Sequence, residues 1–465
     1  MTRKLHTLLF GKKEKKKVIA GFTFIEAMLV LFIFSLIVTT FYAVSTSGIK
    51  YIREAKFRLE ATALANEKME IVHNLDYDKI GTTTGVPQGD ILSKEVVSKN
   101  TGTYYVYTFI KYIDDSYDGQ QGKVPNDTLP NDYKGVKITV AWEDNVLSSR
   151  AVSLFSNFVP VGLEKSVNGG TLAINVLDKA GNGVPQAEVH IKNQTAGVDI
   201  TTLTDDSGSI SLPAMPQGDR NYLLEVSKEG YYPVTTYPPY PTSTFNPSDM
   251  HASVIENTLN MKTIITDRLS QVNLTTEDFF GNSISNVDFT LSGGRKKGDT
   301  VSVPVTEIFF YDQSLNSGTL GRVNLENMSY GIYSFAFVNP ISQYEFIKLD
   351  LGQNINNQFD LAPNSITNVR AIFADKTINS LLVTVLNNST SIPIEGASVN
   401  LKNETLGVDT TLSTDKYGQV YFPTTLPALV SGTYQLKVTA NEFGDSNSSV
   451  DINNLVASEI KLIAN

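Results

Sequence analysis

The feature that most constrains this chain is residues 27–44, AMLVLFIFSLIVTTFYAV, a run of 18 residues without a charge. At 1.5 Å per helical residue, the run and its flanks can just cross a bilayer core of about 30 Å. It is too long for a signal-peptide core and no Ala-x-Ala-like site follows it, so it is expected to be retained. Residues 1–21 carry seven Lys and Arg against Glu14, a local charge of +6, which leaves −16 on the rest of a chain with net charge −10. A basic cluster (residues 12–17) directly before the apolar run predicts a cytoplasmic N-terminus and a body outside the cytoplasm. No second run of this kind occurs in the sequence.

The remaining composition excludes more than it identifies. The 465 residues contain no cysteine, so a disulfide framework, a thiolate nucleophile and a Cys-ligated zinc are all excluded. The four histidines (His6, His73, His190 and His251) are dispersed, which leaves little material for a triad or a His-rich metal site. An enzyme is not expected, and neither is a cofactor. The acidic balance argues against a nucleic-acid partner.

One residue at the apolar run is out of character. Glu26 places a carboxylate at its edge, which is costly unless it stays at the interface or finds a cation. It belongs to Gly21-Phe22-Thr23-Phe24-Ile25-Glu26, which follows KKEKKKVIA. This segment resembles the prepilin signature of type IV pilins and type II secretion pseudopilins: a basic leader, Gly, an aromatic residue, Glu four positions later, then apolar residues. The resemblance implies cleavage between Gly21 and Phe22 by a prepilin peptidase and N-methylation of Phe22. It also implies assembly in which Glu26 meets the new Phe22 amine of a neighbouring subunit. The partners it implies are other pilin subunits and the inner-membrane assembly machinery. The wording FIEAMLVLFIFSLIV is similar to minor pilins and minor pseudopilins. The plainer alternative is a single-pass anchor with Glu26 among the headgroups.

Beyond the run, Phe57, Ala61, Leu64, Ile71 and Leu75 recur at steps of three and four, with Lys68 intruding. This predicts one helix from about residue 22 to 74 whose second half has an apolar face. Glu54 and Arg58 form an i,i+4 pair on another face. Turn-rich residues 78–90 lead to strand-like runs at 103–113, 135–142 and 148–158. The fold class expected is therefore α+β: a long transmembrane or pilin helix (22–75, membrane part 22–45), then a small antiparallel-sheet pilin head (76–165). Tandem all-β sandwich modules complete it. Inside the head, Asp114, Ser116 and Asp118 alternate before Gly119 as a calcium loop begins. The pattern then fails at its twelfth position, Pro125, although Asp127 and Asp132 could complete an irregular site. A metal-free acidic loop is the favoured reading of the two.

Internal repetition organises the rest. Lys192-Asn193, Gly197-Val198-Asp199, Thr204-Asp205 and Gly208 recur at a constant offset of 210 as Lys402-Asn403, Gly407-Val408-Asp409, Thr414-Asp415 and Gly418. A weaker copy lies between them, so modules are expected over 170–264, 265–377 and 378–465. Short alternating runs with turn residues between them predict β-sandwiches. This pattern resembles the carboxypeptidase regulatory-like, transthyretin-like domains of bacterial surface proteins, which are accessory modules without peptidase activity. Two stretches stand apart. Residues 231–247, YYPVTTYPPYPTSTFNP, suggest a surface loop or an aromatic contact for a partner or glycan, and Arg295-Lys296-Lys297 suggests a solvated turn. The function expected is a minor type IV pilin whose modules face outward for adhesion, at the tip or as a rare subunit. A type II secretion pseudopilin and a non-polymerising surface adhesin are the alternatives.

Overall fold

A computed structural model describes residues 23–145, 148–161, 168–338, 343–351 and 357–465. The expected cleavage and methylation positions, Gly21 and Phe22, lie outside these residues.

One helix, Phe24–His73, runs for 50 residues, about 75 Å at the standard rise. Thr23 and Glu26 open it as a capping box. The Thr23 hydroxyl accepts the Glu26 N–H at 3.2 Å, and Thr23 N–H faces Glu26 Oε2 at 3.5 Å. The helix has two characters. From Phe24 to Ile52 its large apolar side chains are exposed on every side. Among the described residues this is the one helix long and apolar enough to cross a membrane. In the second half Ala61, Leu64, Ala65, Met69 and Val72 are buried. Ile71, expected on that face, is 49% exposed. Glu54 faces Arg150 at 3.7 Å, and Arg58 lies over the Trp142 ring.

Contacts divide the chain into two compact units. The first contains the helix with residues 94–108 and 137–155. Here Phe57 stacks on Trp142 (centroids 6.1 Å apart) and tilts against Tyr104 (6.0 Å), whose hydroxyl donates to Glu60 Oε2 at 3.0 Å. Strands Lys94–Lys99, Gly102–Ile113, Tyr133–Ala141 and Ala151–Phe158 form a four-stranded sheet in that order. A separate small head over 76–165 is not evident, because its residues are shared between the units. The apolar side chains explain why: Val86 and Tyr112 belong to the core of the sandwich that follows.

The second unit is mostly paired sheets. In the first pair, Leu259–Ile265, Gly170–Leu177 and Ser209–Met215 face a sheet built on Gly218–Ser227, Glu188–Asn193 and Val198–Leu203. Leu172, Ile174 and Val176 meet Val189, Ile191, Leu224 and Val226 in one buried core. The second pair centres on Ser270–Asp278 and Asp288–Asp299, with Phe289, Phe335, Phe359 and Phe373 at its core. The third centres on Ser380–Asn387 and Ser398–Asn403 over Leu381, Val383, Leu401 and Leu436. Tandem sandwiches follow from the strict alternation in each strand, which turns one face of every sheet inward.

The repeat is visible atom by atom. Thr204 Oγ1 donates to Val184 O at 2.7 Å and accepts Ala187 N–H at 2.9 Å; Thr414 makes the same pair of bonds with Ile394 and Ala397. In the weak middle copy Ser317 takes this place, accepting Val287 N–H. Gly208 and Gly418 adopt φ of +77° and +67°, and a Cβ there would strike Val184 N and Val385 O at 2.5 and 2.4 Å. In each sandwich the last strand runs parallel to the first: Leu259–Ile265 on Gly170–Leu177, Ile366–Asp375 on Ser270–Asp278, and Leu455–Leu462 on Ser380–Asn387.

Candidate functional site

The helix start is the first candidate. Its side chains have no cover among the described residues, and the carboxylate of Glu26 stands at the third position of the first turn. There the unsatisfied N–H groups and the helix dipole favour negative charge. Glu26 therefore has a local partner in its own helix, and its charge is held at one end of an apolar surface.

The acidic loop between Gly102–Ile113 and Tyr133–Ala141 is the second. Of the five carboxylate and hydroxyl residues that could make up an irregular calcium site, the structure separates two: Ser116 and Asp118 are exposed. Asp132 is turned toward the loop's own backbone, its Oδ2 accepting Asp115 N–H at 2.6 Å. Among the described residues, no three of His, Cys, Asp and Glu stand together so as to hold a metal ion. The five-residue set is thus not gathered: Ser116 and Asp118 face solvent while the loop folds back on itself around Gly119. Asp114 and Asp127 do point inward. Asp114 Oδ2 accepts Gln121 N–H at 3.0 Å, and Asp127 Oδ1 accepts Leu129 N–H at 2.7 Å. Burial pushes the Asp114 carboxyl up from its ordinary range, against the Gln121 N–H bond, and the charges of Asp127 and Asp118 push it further the same way. Gln121, which no sequence template singled out, is 7% exposed beside them. Asp114 and Gln121 line a cavity of about 340 Å³ together with Lys111, Thr171, Asp205 and Leu259. Burial lowers the Lys111 pKa, with Asp205 opposing.

The aromatic, proline-rich stretch 231–247 is a strut between the first and second sandwiches, and much of it is bonded. Val234–Thr235 pairs with Gly218–Ser227, and Asn246–Pro247 pairs with Asp288–Asp299 of the next sandwich. Tyr237 and Phe245 pack edge to face at 5.6 Å, and Lys297 lies over both rings. The three basic residues are not a solvated turn. They lie in the strand Asp288–Asp299, where Arg295 pairs with Asp249 at 2.7 Å and donates to Ile265 O, and Lys296 pairs with Asp299 and Glu307. Extended backbone with alternating partners, rather than a turn, accommodates three consecutive cations. Tyr240 alone keeps a largely exposed ring in that stretch.

Residues 171–249 match the carboxypeptidase regulatory-like domain. Among proteins of known structure, the chain is similar to the Bacillus anthracis TIE protein at 16% identity, covering 71% of this chain and 59% of that one, with a TM-score of 0.19. It is also similar to a streptococcal ancillary pilin (14% identity, 64% and 99% covered, TM-score 0.19). A third is the shaft pilin SpaA from Lactobacillus rhamnosus GG (14% identity, 42% and 98% covered, TM-score 0.17). The chain spans 59% of the length of the TIE protein. No curated protein matches it in sequence.

Proposed function

We propose that this chain is a minor subunit of a type IV pilus-like filament, anchored by its N-terminal helix and presenting β-sandwich modules outward for adhesion or partner binding. The observation that carries the reading is the first half of the helix Phe24–His73: apolar on all sides, uncovered among the described residues, with Glu26 at its start. Such a surface needs lipid or other helices around it. In the proposal it inserts in the membrane with the basic residues 12–17 on the cytoplasmic side. A prepilin peptidase then cuts between Gly21 and Phe22, and the methylated Phe22 amine of one subunit pairs with Glu26 of the next. A carboxylate among apolar neighbours is stabilised by a cation delivered in register and resists burial alone. The sheet packed against the second half of the helix would be the pilin-type core, and the sandwiches are accessory modules without catalysis.

A second reading has its own support. Because Glu26 already caps its own helix, a plain anchored adhesin needs no neighbour to satisfy it. Two measurements separate the readings. Intact mass spectrometry of protein from native membranes should find a chain beginning at methylated Phe22; a chain that keeps residues 12–21 overturns the filament reading. Glu26→Gln is the matching variant, because glutamine at the third helical position still completes a capping box while the charge is lost. The variant should keep its helicity and membrane insertion yet disappear from sheared filaments. Unchanged filament incorporation would leave only the anchor.

A further inference from the structure

The acidic loop contains buried oxygen atoms that have acceptor character and no donor. Asp114 Oδ1, Asp127 Oδ2 and Gln121 Oε1 are each shielded from solvent without a hydrogen-bond partner. Asp127 and Gln121 are 8% and 7% exposed, so neither oxygen is compensated by bulk water. An unpaired buried carboxylate oxygen forfeits its hydration for nothing in return, a cost of several kcal/mol in general. Three such atoms within 14 residues, all of one polarity, call for a cation.

The backbone brings them together. Asp114 Oδ2 holds Gln121 N–H, Gln120 Nε2 donates to Asp114 O at 3.0 Å, and Asp127 N–H reaches Gln120 O at 3.4 Å. The loop therefore folds residues 119–121 between 114 and 127. Gly119 permits it: φ is +132°, and a Cβ would lie 2.7 Å from Pro125 O. The nearby ammonium of Lys123 is spent on Gln120 Oε1 at 2.6 Å.

We propose that the loop from Asp114 to Asp127 binds one calcium ion, with Asp114, Asp127 and Gln121 supplying side-chain oxygens. Two carboxylates and an amide oxygen are an all-oxygen, hard donor set suited to calcium, which accepts six to eight oxygens in irregular geometry. Magnesium demands a near-ideal octahedron and keeps its water. Ser116 and Asp118, exposed on the same loop, are not ligands; Asp118 adds only field. The ion would tie Asp114 to Asp127 across residues 119–121 and so close the loop.

The test uses the full chain in detergent, freed of metal by chelator and dialysis. Calorimetric titration with calcium chloride should show one site with Kd on the order of 10⁻⁴–10⁻³ M, as in extracellular calcium modules, and magnesium chloride should bind more weakly. Asp127→Asn and Gln121→Ala should each lose at least about tenfold in affinity, while Ser116→Ala stays as wild type. Absence of calcium binding at about ten times that range, or a wild-type Kd in Asp127→Asn, overturns the proposal. Should the variants misfold, the wild-type chain still decides. Calcium should slow tryptic cleavage after the exposed Lys123 relative to chelator alone, and an unchanged rate overturns the site.

Discussion

In the strand Glu188–Asn193, His190 places Nε2 2.6 Å from Asp199 Oδ1 and Nδ1 2.8 Å from Glu225 Oε2. Burial works against its charged form, yet the bonds to the two carboxylates outweigh it and raise the imidazole above its ordinary value. His251, in the same sandwich, bonds Thr236 Oγ1 at 2.9 Å; burial lowers its pKa, and Lys262 adds to the effect. The two therefore respond to pH in opposite senses. Stability from His190 is fully present below about pH 6.5, the ordinary histidine value, and is lost as pH rises through its raised folded value. Stability from His251 is present above about pH 6.5 and is lost as pH falls through its lowered one. Hydrogen exchange in the strand Glu188–Asn193 should quicken from pH 6 toward 8 after correction for intrinsic rates, and His190→Gln should flatten that rise. An identical slope in the variant would remove His190 as the cause. None of this pairing was legible in the sequence, where His190 is simply one of four scattered histidines. The partners come from adjacent strands and appear only once register is fixed.

The helix shows how far periodicity carries at the scale of an element. Its existence, length and change of character halfway along were all readable from the apolar run and the three–four spacing that follows. The buried face departs slightly from that spacing. Steps of seven from Phe57 through Leu64 to Ile71 drift about 20° per heptad on a 3.6-residue helix, so Ile71 slides to the rim while Ala65, Met69 and Val72 turn in. Lys68, which looked like an intrusion, lies on that face but pairs with Glu95 at 2.6 Å, its stem covering apolar surface. Leu64→Ala should cost about 2–5 kcal/mol, whereas Ile71→Ala should stay within about 0.5 kcal/mol; denaturant unfolding followed by Trp142 fluorescence distinguishes them. Equal losses would place Ile71 back in the core. The strand Lys94–Lys99 escaped notice for a related reason: KEVVSK is short, charged and half-exposed at a sheet edge, so it has little alternation to display. Gln121 escaped because its role depends on burial, which spacing does not encode.

Across the whole molecule, the constant offset of 210 residues made the first and third sandwiches legible, and the weaker middle copy was placed by its turns. The joints between sandwiches were not legible, since their aromatic residues are not repeated: Tyr417 and Tyr421 stand where the first sandwich has Ser207 and Ser211. Between the second and third, Phe279 stacks on Tyr421 with centroids 4.0 Å apart, and Lys348, buried, pairs with Asp415 and lies over Tyr417. Tyr417 also donates its hydroxyl to Leu349 O at 2.8 Å. Tyr421→Ala removes a ring worth about 0.5–1.5 kcal/mol in stacking beyond its buried area. It should speed hydrogen exchange at Phe280 and Leu455 while Val399, deep in the third core, keeps its protection. Uniform loss across the third sandwich would mean that the ring supports the fold and not the joint. One further consequence follows from the parallel pairing of first and last strands. The chain enters the first sandwich at Gly170 and leaves at Ile265, and because these strands run the same way, entry and exit lie at opposite ends of one pair. Tension along the chain must then shear the seven register pairs from Leu259↔Thr171 to Ile265↔Leu177 together, and the eight from Ser380↔Leu455 to Asn387↔Leu462 in the third sandwich. Pulled from residues 170 and 265, the first sandwich should rupture at higher force than when pulled from Glu188 and Leu203, an antiparallel couple that would open one bond at a time like a zip.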